Sequence, residues 1–399
     1  MKICFHTNFS VTPNYIGGTE RFLIKICKEM VNLGHEPFIV CSSFIEEIEV
    51  EGIKVIGRIP DKYKDKIKLY ENFSSIFLKN EIFDETDYIG SLKRLSEYTE
   101  MQLDGIEADI YHLNSFASAS FLIPSNNILV TNHENNLEYN GYWGDSFFDT
   151  FALCVRNKQT ELHKYKYLFV PSQYYANFFS KEFSLNIDYI HLGIHLEDFK
   201  IQPKIDEFKK ELFSDNKGVI LLFPSRFQLK QKGHDIAIKA ASLLKSKGID
   251  FKIIFTGLKR SNQKYIEQFQ HLIKEYNIED RVKITTFSDI MTAYNNCDIV
   301  ISTEKYCSYG LSISESLSLG IPTVLSDIPT YHEIGNGYKN AIFFKSEDYK
   351  DLADKLIKTI SNSQERNVND AIKFRRNNDI RDCAKKYSDV YFKMILFHK

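Results

Sequence analysis

Short apolar runs alternate with amphipathic helical patterns along most of the chain. The run over residues 2–7 predicts a buried strand. The segment after it has apolar positions at spacings of three and four, which is typical of a helix with one buried face. Those positions are Leu23, Ile26, Cys27 and Met30. Further strands are predicted over residues 37–42, 53–59, 110–113, 128–132, 168–171 and 189–192.

A second series of the same kind begins near residue 217. Its first run, over residues 219–224, is almost wholly apolar, as in strands that are buried on both faces of a parallel sheet. Further strands are predicted over residues 251–256, 282–287, 299–302 and 323–326. The helices of this series are predicted over residues 236–248, 263–276, 289–296 and 312–319. Such alternation indicates parallel sheets with crossover helices.

The two series predict an α/β protein with two doubly wound domains and a cleft between them. A polar stretch near residues 194–216 separates them, so we expect an N-terminal domain over 1–195 and a C-terminal domain over 196–378. Residues 379–399 form a last amphipathic helix, expected to pack back on the N-terminal domain. Residues 61–105 are less regular and are predicted to be mostly helical.

Composition excludes several classes of protein. The 399 residues are 43% hydrophobic and 26% charged, which is ordinary for a globular chain, and the formal charge of -2 predicts no nucleic-acid partner. The seven cysteines are odd in number and form no C-x-x-C pair, which indicates buried reduced thiols. The N-terminus turns polar after Phe5 and no apolar stretch approaches a membrane span, so we expect a cytoplasmic protein.

Two loops that follow strands could bind an anion. Gly17 and Gly18 open the first helix, where free amides favour a phosphate, although a plain tight turn would also explain them. Arg226, Lys230 and Lys232 lie between a strand and a helix at the carboxyl end of the second sheet. Their charge matches a diphosphate, and a solvated basic loop is the alternative.

Three more features could bind a nucleotide sugar. The turn over residues 308–310 precedes a helix whose first amides can bind oxyanions. Glu315 in that helix could accept from the vicinal hydroxyls of a ribose, or lie on a solvated face. His133 ends a strand of the first domain, where functional side chains are common, although single histidines are often structural.

Together these segments resemble the retaining glycosyltransferases of family 4, whose two Rossmann-like domains define the GT-B architecture. The resemblance covers nearly the whole chain and rests on the order and spacing of several motifs. These are residues 17–21 (GGTER), His133, residues 191–199 (HLGIHLEDF), Arg226 with Lys232 and Gly233, and the run from Tyr309 through Glu315 to Pro322.

The resemblance implies a role for each candidate residue. Arg226 and Lys232 would stabilise the diphosphate of a nucleotide-sugar donor in place of a metal, with amides of Gly17 and Gly18 reaching the same phosphates on domain closure. His133 would contact the donor sugar. Glu315 would hold the ribose, with the Phe287 backbone near the base. No cofactor is implied, and the acceptor would be a saccharide or lipid-linked saccharide of surface polysaccharide biosynthesis.

One position departs from the family pattern. Two glutamates normally stand eight positions apart, and counting back from Glu315 places Cys307 where the first is expected. That glutamate usually serves the donor sugar. Its role therefore passes to other groups, for which Glu304 and the turn Ser308, Tyr309, Gly310 and Leu311 are the candidates.

The sequence is also compatible with two functions other than glycosyl transfer. The cysteine substitution is compatible with a nucleotide-sugar-binding pseudoenzyme or regulatory subunit, and another GT-B enzyme such as a sugar-nucleotide epimerase fits less well. A segment with four lysines and several apolar residues, 61–70, is a candidate for peripheral contact with the inner face of the membrane, or else a solvated helix face.

Overall fold

The chain forms two compact units in the computed structural model. The first comprises Met1–Gly193 and Ile380–Lys399, and the second comprises Ile194–Asp379. The structure describes residues 1–13, 17–67, 81–84, 86–133, 151, 153–205, 207–213, 217–227, 229–257, 263–285, 287, 289–362 and 365–396, with the backbone alone at 229, 230 and 264. No helix within these ranges is both long and apolar enough to span a membrane.

The first unit is built on an eight-stranded sheet with the order β3-β4-β2-β1-β5-β6-β7-β8. Its strands are β1 (Lys2–Thr7), β2 (Glu36–Cys41), β3 (Glu47–Val50), β4 (Ile53–Gly57), β5 (Ile110–Leu113), β6 (Ile128–Thr131), β7 (Leu168–Val170) and β8 (Ile187–Tyr189). Its helices are α1 (Gly18–Asn32), α2 (Asp61–Ile67), α3 (Tyr88–Leu103), α4 (Phe116–Ala119) and α5 (Gln173–Phe183). The pairs are parallel except β3 with β4, which form an edge hairpin.

The second unit has a six-stranded parallel sheet with the order β11-β10-β9-β12-β13-β14. Its strands are β9 (Val219–Phe223), β10 (Phe251–Phe255), β11 (Val282–Ile284), β12 (Ile299–Ser302), β13 (Thr323–Ser326) and β14 (Ala341–Phe344). Its helices are α6 (Phe208–Phe213), α7 (Leu229–Lys232), α8 (His234–Ser246), α9 (Gln263–Glu275), α10 (Ile290–Asn296), α11 (Leu311–Ser318), α12 (Pro329–Gly335), α13 (Tyr349–Ser361) and α14 (Val368–Asn377). Strands β9, β10 and β12 are almost completely buried because helices cover both faces of the sheet.

The last helix, α15 (Ile380–Leu396), packs against α1 in the first unit. Its buried tyrosines reach the sheet: the Tyr391 hydroxyl lies 2.6 Å from Nδ1 of His112, and the Tyr387 hydroxyl lies 3.1 Å from Oγ1 of Thr131. These hydrogen bonds position the helix, in addition to the packing of its apolar face.

Some elements differ from the predicted ones. Strand β8 pairs with β7 over 187–189 rather than 189–192, because the next buried apolar residues extend past the end of β7. Strand β3 is missed because two of its four residues, Glu47 and Glu49, are acidic, and its turn uses Glu51 and Gly52 at φ values of 51° and 81°. Strand β14 and helices α12, α13 and α14 follow the last predicted strand of the second series, 323–326, and were not predicted individually. All seven cysteines are buried, as expected.

Candidate functional site

The strand order of the second sheet brings two of the predicted groups together. Successive connections leave β9 toward β10 on one side and β12 toward β13 on the other, so the switch point lies between β9 and β12. Ligands of open α/β sheets bind beyond the carboxyl ends of the strands at such a point. Arg226 and Lys232 follow β9, and Glu304 and Cys307 follow β12.

An ion pair joins the two loops at the switch point. The Lys232 ammonium Nζ lies 2.6 Å from Oε1 of Glu304, and the two side chains are 16% and 4% exposed. The Thr303 hydroxyl donates to the carbonyl oxygens of Lys232 and Gly233 at 2.8 and 2.7 Å. Gly233 has a φ of 65°, and a Cβ there would lie 2.2 Å from the Thr303 carbonyl oxygen. Glycine therefore permits the close approach that forms the pair.

Arg226 is exposed on the loop after β9. Gly257, which follows β10 at a φ of 87°, allows the neighbouring backbone to pack against it, since a Cβ there would lie 2.6 Å from the Arg226 Cα. Gly257 is not among the predicted site residues, although a glycine directly after a buried strand is a recognisable signal for close backbone approach. The side chain of Lys230 lies outside the described residues.

Cys307 lies beside Glu304 and is buried. Burial raises the pKa of its thiol well above the ordinary range, and the Glu304 carboxylate raises it further, so the thiol is neutral at pH 7. Glu304 is 3% exposed, and among the described residues its second oxygen, Oε2, accepts no conventional hydrogen bond. One oxygen of this carboxylate is thus held by Lys232, and the Cys307 thiol is a weak donor beside the carboxylate.

The turn over 308–310 leads into α11. Gly310 precedes the helix at a φ of 109°, and a Cβ there would lie 2.8 Å from Cε1 of Tyr331. The glycine offers no side chain to cap the helix, so the first amides, from Leu311 onward, can meet an anion. Ser308 is half-buried, while Tyr309 is buried with its hydroxyl 3.5 Å from Oδ1 of Asn378.

Glu315 lies one turn into α11 and is 4% exposed. Its Oε2 accepts a hydrogen bond of 2.9 Å from the Tyr294 hydroxyl, which also lies 3.2 Å from the Ser312 carbonyl oxygen. Arg366 donates to the Tyr294 carbonyl oxygen at 2.8 Å and fixes α10 at this point. Glu315 is therefore a positioned carboxylate rather than a group on a solvated face. Tyr294 is a partner that sequence patterns did not reveal, because it comes from another helix.

Phe287 lies apart from the switch point by topology. It follows β11, the edge strand, two strands away from β9, which corresponds to about 10 Å across the sheet. The side chain is half-buried, and its ring stacks on Phe208 with centroids 6.0 Å apart. Its neighbours in sequence, 286 and 288, lie outside the described residues.

In the first unit, His133 lies beside the helix that Gly17 and Gly18 open. His133 follows β6 and is buried, with Nε2 2.9 Å from Oδ1 of Asn114 and its ring 5.6 Å from the Phe22 ring of α1. Burial lowers the pKa of His133 to about 4, so the imidazole is neutral at pH 7. Gly17 is the residue before α1 and supplies no side-chain cap. Residues 14–16 of the predicted glycine loop lie outside the described residues.

The lysine-rich segment 61–70 forms a salt-bridged helix face as far as it is described. Lys62, Lys64 and Lys66 each pair with a carboxylate, at 2.9, 2.6 and 2.8 Å. Tyr63 and Ile67 are buried in the core of the first unit, so they offer no surface to a membrane. Residues 68–70 lie outside the described ranges.

Across the described residues, no three His, Cys, Asp or Glu side chains are grouped so that they could hold a metal ion. Among the described residues, the loops at the switch point carry the Lys232–Glu304 pair, the exposed Arg226, and Lys305, which pairs with Glu347 at 2.8 Å.

Comparison with known proteins shows which proteins the chain is similar to. Residues 204–376 match the family model for glycosyl transferases group 1. The matched residues lie within the second unit, which spans Ile194–Asp379. Among curated proteins, this chain is 29% identical over 172 residues to Protein CapJ of Staphylococcus aureus, a match that covers 41% of each chain. It is 25% identical over 189 residues to the O-antigen biosynthesis glycosyltransferase WclY of Escherichia coli, covering 47% of this chain and 46% of that one.

The match to these curated relatives spans less than half of their length. Solved structures extend the likeness in fold to both units. Sucrose-phosphate synthase from Thermosynechococcus elongatus has a TM-score of 0.77 at 15% identity, covering 99% of both chains. Anabaena Alr3699/HepE, solved in complex with UDP and glucose, has a TM-score of 0.68 at 16% identity, covering 98% of this chain and 100% of that one. The chain has the fold of GT-B glycosyltransferases, as predicted.

Proposed function

We propose that the chain is a retaining glycosyltransferase that moves a hexose from a nucleotide-diphosphate sugar to a saccharide or lipid-linked saccharide acceptor. The observation that carries the proposal is the paired Lys232 and Glu304 at the switch point of the unit that matches the family model for glycosyl transferases group 1, beside the exposed Arg226. A cation and a buried carboxylate side by side suit a ligand that carries both a diphosphate and sugar hydroxyls.

Lys232 and Arg226 would neutralise the diphosphate as the bond between sugar and phosphate breaks. Lys232 has three donors and uses one on Oε1 of Glu304, so it can keep that partner and still donate to a phosphate oxygen. The first amides of α11, after Gly310, and those of α1, after Gly17, would add uncharged donors. These groups do the work that a divalent cation performs elsewhere, so we propose a reaction without a metal.

Glu304 would take over the donor-sugar role of the family glutamate that Cys307 replaces. The neutral thiol of Cys307 is a weak acceptor, whereas Oε2 of Glu304 is a buried carboxylate oxygen without a conventional partner. Glu315 would accept from the ribose hydroxyls, since it is already oriented by Tyr294. We keep Phe287 as a candidate for backbone contact with the base and His133 for contact with the sugar.

Retention follows most simply from attack on the face that the leaving group occupies. The acceptor hydroxyl oxygen bonds to the anomeric carbon as the bond to the phosphate oxygen breaks, and that phosphate oxygen takes the hydroxyl proton. The route needs no protein carboxylate as nucleophile, unlike the double displacement of glycosidases. The name of the relative WclY, an O-antigen biosynthesis glycosyltransferase, supports an acceptor in surface polysaccharide synthesis. A location at the cytoplasmic side of the membrane is a further part of the proposal.

A nucleotide-sugar-binding pseudoenzyme is the second candidate, and Cys307 is the observation that favours it. Incubating the full chain with UDP-, GDP- and dTDP-sugars separates the two. Release of nucleotide diphosphate together with transfer to an acceptor, or hydrolysis of the donor, supports an enzyme. Calorimetric binding of a nucleotide without release of it supports the pseudoenzyme, and neither binding nor release contradicts both.

A further inference from the structure

We infer that Asn114 is a positioning residue that fixes His133 as the Nε2–H tautomer and so leaves Nδ1 as an acceptor for a ligand hydroxyl. This inference rests on the proposed function for the identity of the ligand, a neutral sugar. The state of the ring itself follows from hydrogen bonds within the first unit.

Asn114 follows β5 beside β1, where the strand order of the first sheet changes direction. Its side-chain nitrogen donates to two backbone carbonyl oxygens at the ends of those strands, that of His6 at 3.0 Å and that of His112 at 3.2 Å. Carbonyl oxygens only accept, so the nitrogen of the amide must face them. The orientation of the Asn114 amide is thereby determined by its partners.

The amide oxygen of Asn114 is consequently the atom that faces His133. It lies 2.9 Å from Nε2 of the ring, and an amide oxygen can only accept. Nε2 must carry the hydrogen. Because burial keeps the ring neutral at pH 7, the other nitrogen, Nδ1, carries a lone pair.

Nδ1 of His133 is an unsatisfied acceptor. The residue is 8% exposed, and among the described residues no donor lies within hydrogen-bond distance of Nδ1. A buried polar atom without a partner is costly, so its retention points to a ligand that supplies the donor. Asn114, the partner of His133, also lines a small pocket with the neutral polar side chains of Thr7, Asn8, Ser115 and Ser118. Neutral donors and acceptors of this kind suit sugar hydroxyls.

The tautomer can be read directly from long-range proton–nitrogen NMR spectra of the full chain labelled with ¹⁵N-histidine. His133→Gln identifies the His133 signals among those of the 11 histidines. We expect the Nε2–H pattern in the unmodified protein and a shift toward the Nδ1–H form in Asn114→Ala. If Asn114→Ala does not fold, Asn114→Ser also withdraws the acceptor from the ring. Tyr98→Phe, which removes a buried hydrogen bond to Ser42 away from His133, is the matched control.

Activity provides a second readout. We expect kcat/KM for the donor to fall about tenfold in Asn114→Ala and to stay unchanged in Tyr98→Phe. An Nδ1–H signal in the unmodified protein, or a tautomer that Asn114→Ala does not alter, would overturn the inference. The spectra need no turnover, so absence of transfer with every donor would contradict the proposed function while the assignment of the tautomer still stood or fell by itself.

Discussion

The two units hold their candidate site residues by different forces. In the second unit an ion pair of 2.6 Å joins Lys232 to Glu304. In the first unit, neutral hydrogen bonds connect His133 and Asn114 to the ends of the strands. Both sites lie at carboxyl ends of strands near a switch point in a parallel sheet. Under the proposed function, the ion pair of the second unit would serve the anionic diphosphate, and His133 of the first unit would serve a neutral sugar hydroxyl.

Removing the ammonium group of Lys232 should have the largest effect on stability and on nucleotide binding. Lys232→Met leaves the buried Glu304 carboxylate without its partner, so we expect a loss of about 3 kcal/mol in the free energy of unfolding as well as loss of nucleotide-diphosphate affinity. Urea unfolding and calorimetry measure the two effects. The double variant Lys232→Met with Glu304→Gln should recover stability without recovering affinity. Recovery of affinity as well would contradict the role of Lys232.

The assignment of the donor sugar to Glu304 is tested by comparing it with Cys307. Glu304→Gln keeps the shape of the side chain and removes the charged acceptor, so kcat/KM should fall by the equivalent of about 2–3 kcal/mol. Cys307→Ser should lower it less, with nucleotide-diphosphate affinity nearly unchanged in both. Transfer assays on the two variants decide this, and a larger loss in Cys307→Ser would return the role to position 307.

Substitutions of Glu315 and of its partner Tyr294 should weaken nucleotide binding to different degrees. Glu315→Ala should weaken binding of the free nucleotide by about 1.5–3 kcal/mol, because two ribose hydroxyls lose a charged acceptor. Tyr294→Phe keeps the carboxylate and removes the hydroxyl that contacts it and the Ser312 carbonyl oxygen, so its effect should be about 1 kcal/mol. Calorimetry with the free nucleotide measures both. Unchanged affinity in Glu315→Ala would refute the ribose contact.

Acid should destabilise the first unit more steeply than the second. Burial lowers the pKa of both His6 and His133 from 6.5 to about 4. In the second unit, His234 is lowered to about 3, but the pKa of His332 is raised: the Asp327 and Asn336 contacts outweigh its desolvation. Between pH 6.5 and about 4 the unfolded chain binds protons that the folded first unit excludes. As the pH is lowered through this range, the free energy of unfolding falls by about 1.4 kcal/mol per pH unit for each such histidine.

Hydrogen exchange at several pH values, corrected for intrinsic rates, measures this difference. Peptides from β1 and β5 should lose protection earlier than peptides from β9 and β12. His6→Gln should reduce the slope in the first unit and leave that of the second unchanged. Equal slopes in the two units would show that the buried histidines do not set their acid stability.

The smallest expected effect is that of a chelator. Because Lys232 and Arg226 supply the positive charge at the switch point, transfer should continue in EDTA at an unchanged rate. Loss of turnover that Mg²⁺ or Mn²⁺ restores would show that these side chains do not replace a metal.

Much of the fold can be predicted from local pattern, and less of the site. Strands β1, β5, β12 and β13 have the predicted bounds because each is a short apolar run between clear breakers. Strand β4 lies within the predicted strand 53–59, but β3 escapes prediction because the turn that joins them relies on Glu51, an unusual residue at positive φ. The positions of Lys232 and Glu304 in loops after strands make them candidate site residues. Their pairing, however, depends on which strands are neighbours in the sheet. Asn114 and Tyr294 contact residues from distant segments of the chain, so these contacts cannot be predicted from the local sequence pattern.

Nucleotide release from a donor sugar, measured side by side in the unmodified chain and in the Lys232→Met, Glu304→Gln double variant, tests the central claim most directly. The double variant removes both members of the ion pair at once and so leaves no unpaired buried charge to unfold the protein. We predict release from at least one UDP-, GDP- or dTDP-sugar by the unmodified chain and none above background by the folded variant. Equal release by both proteins would contradict the account.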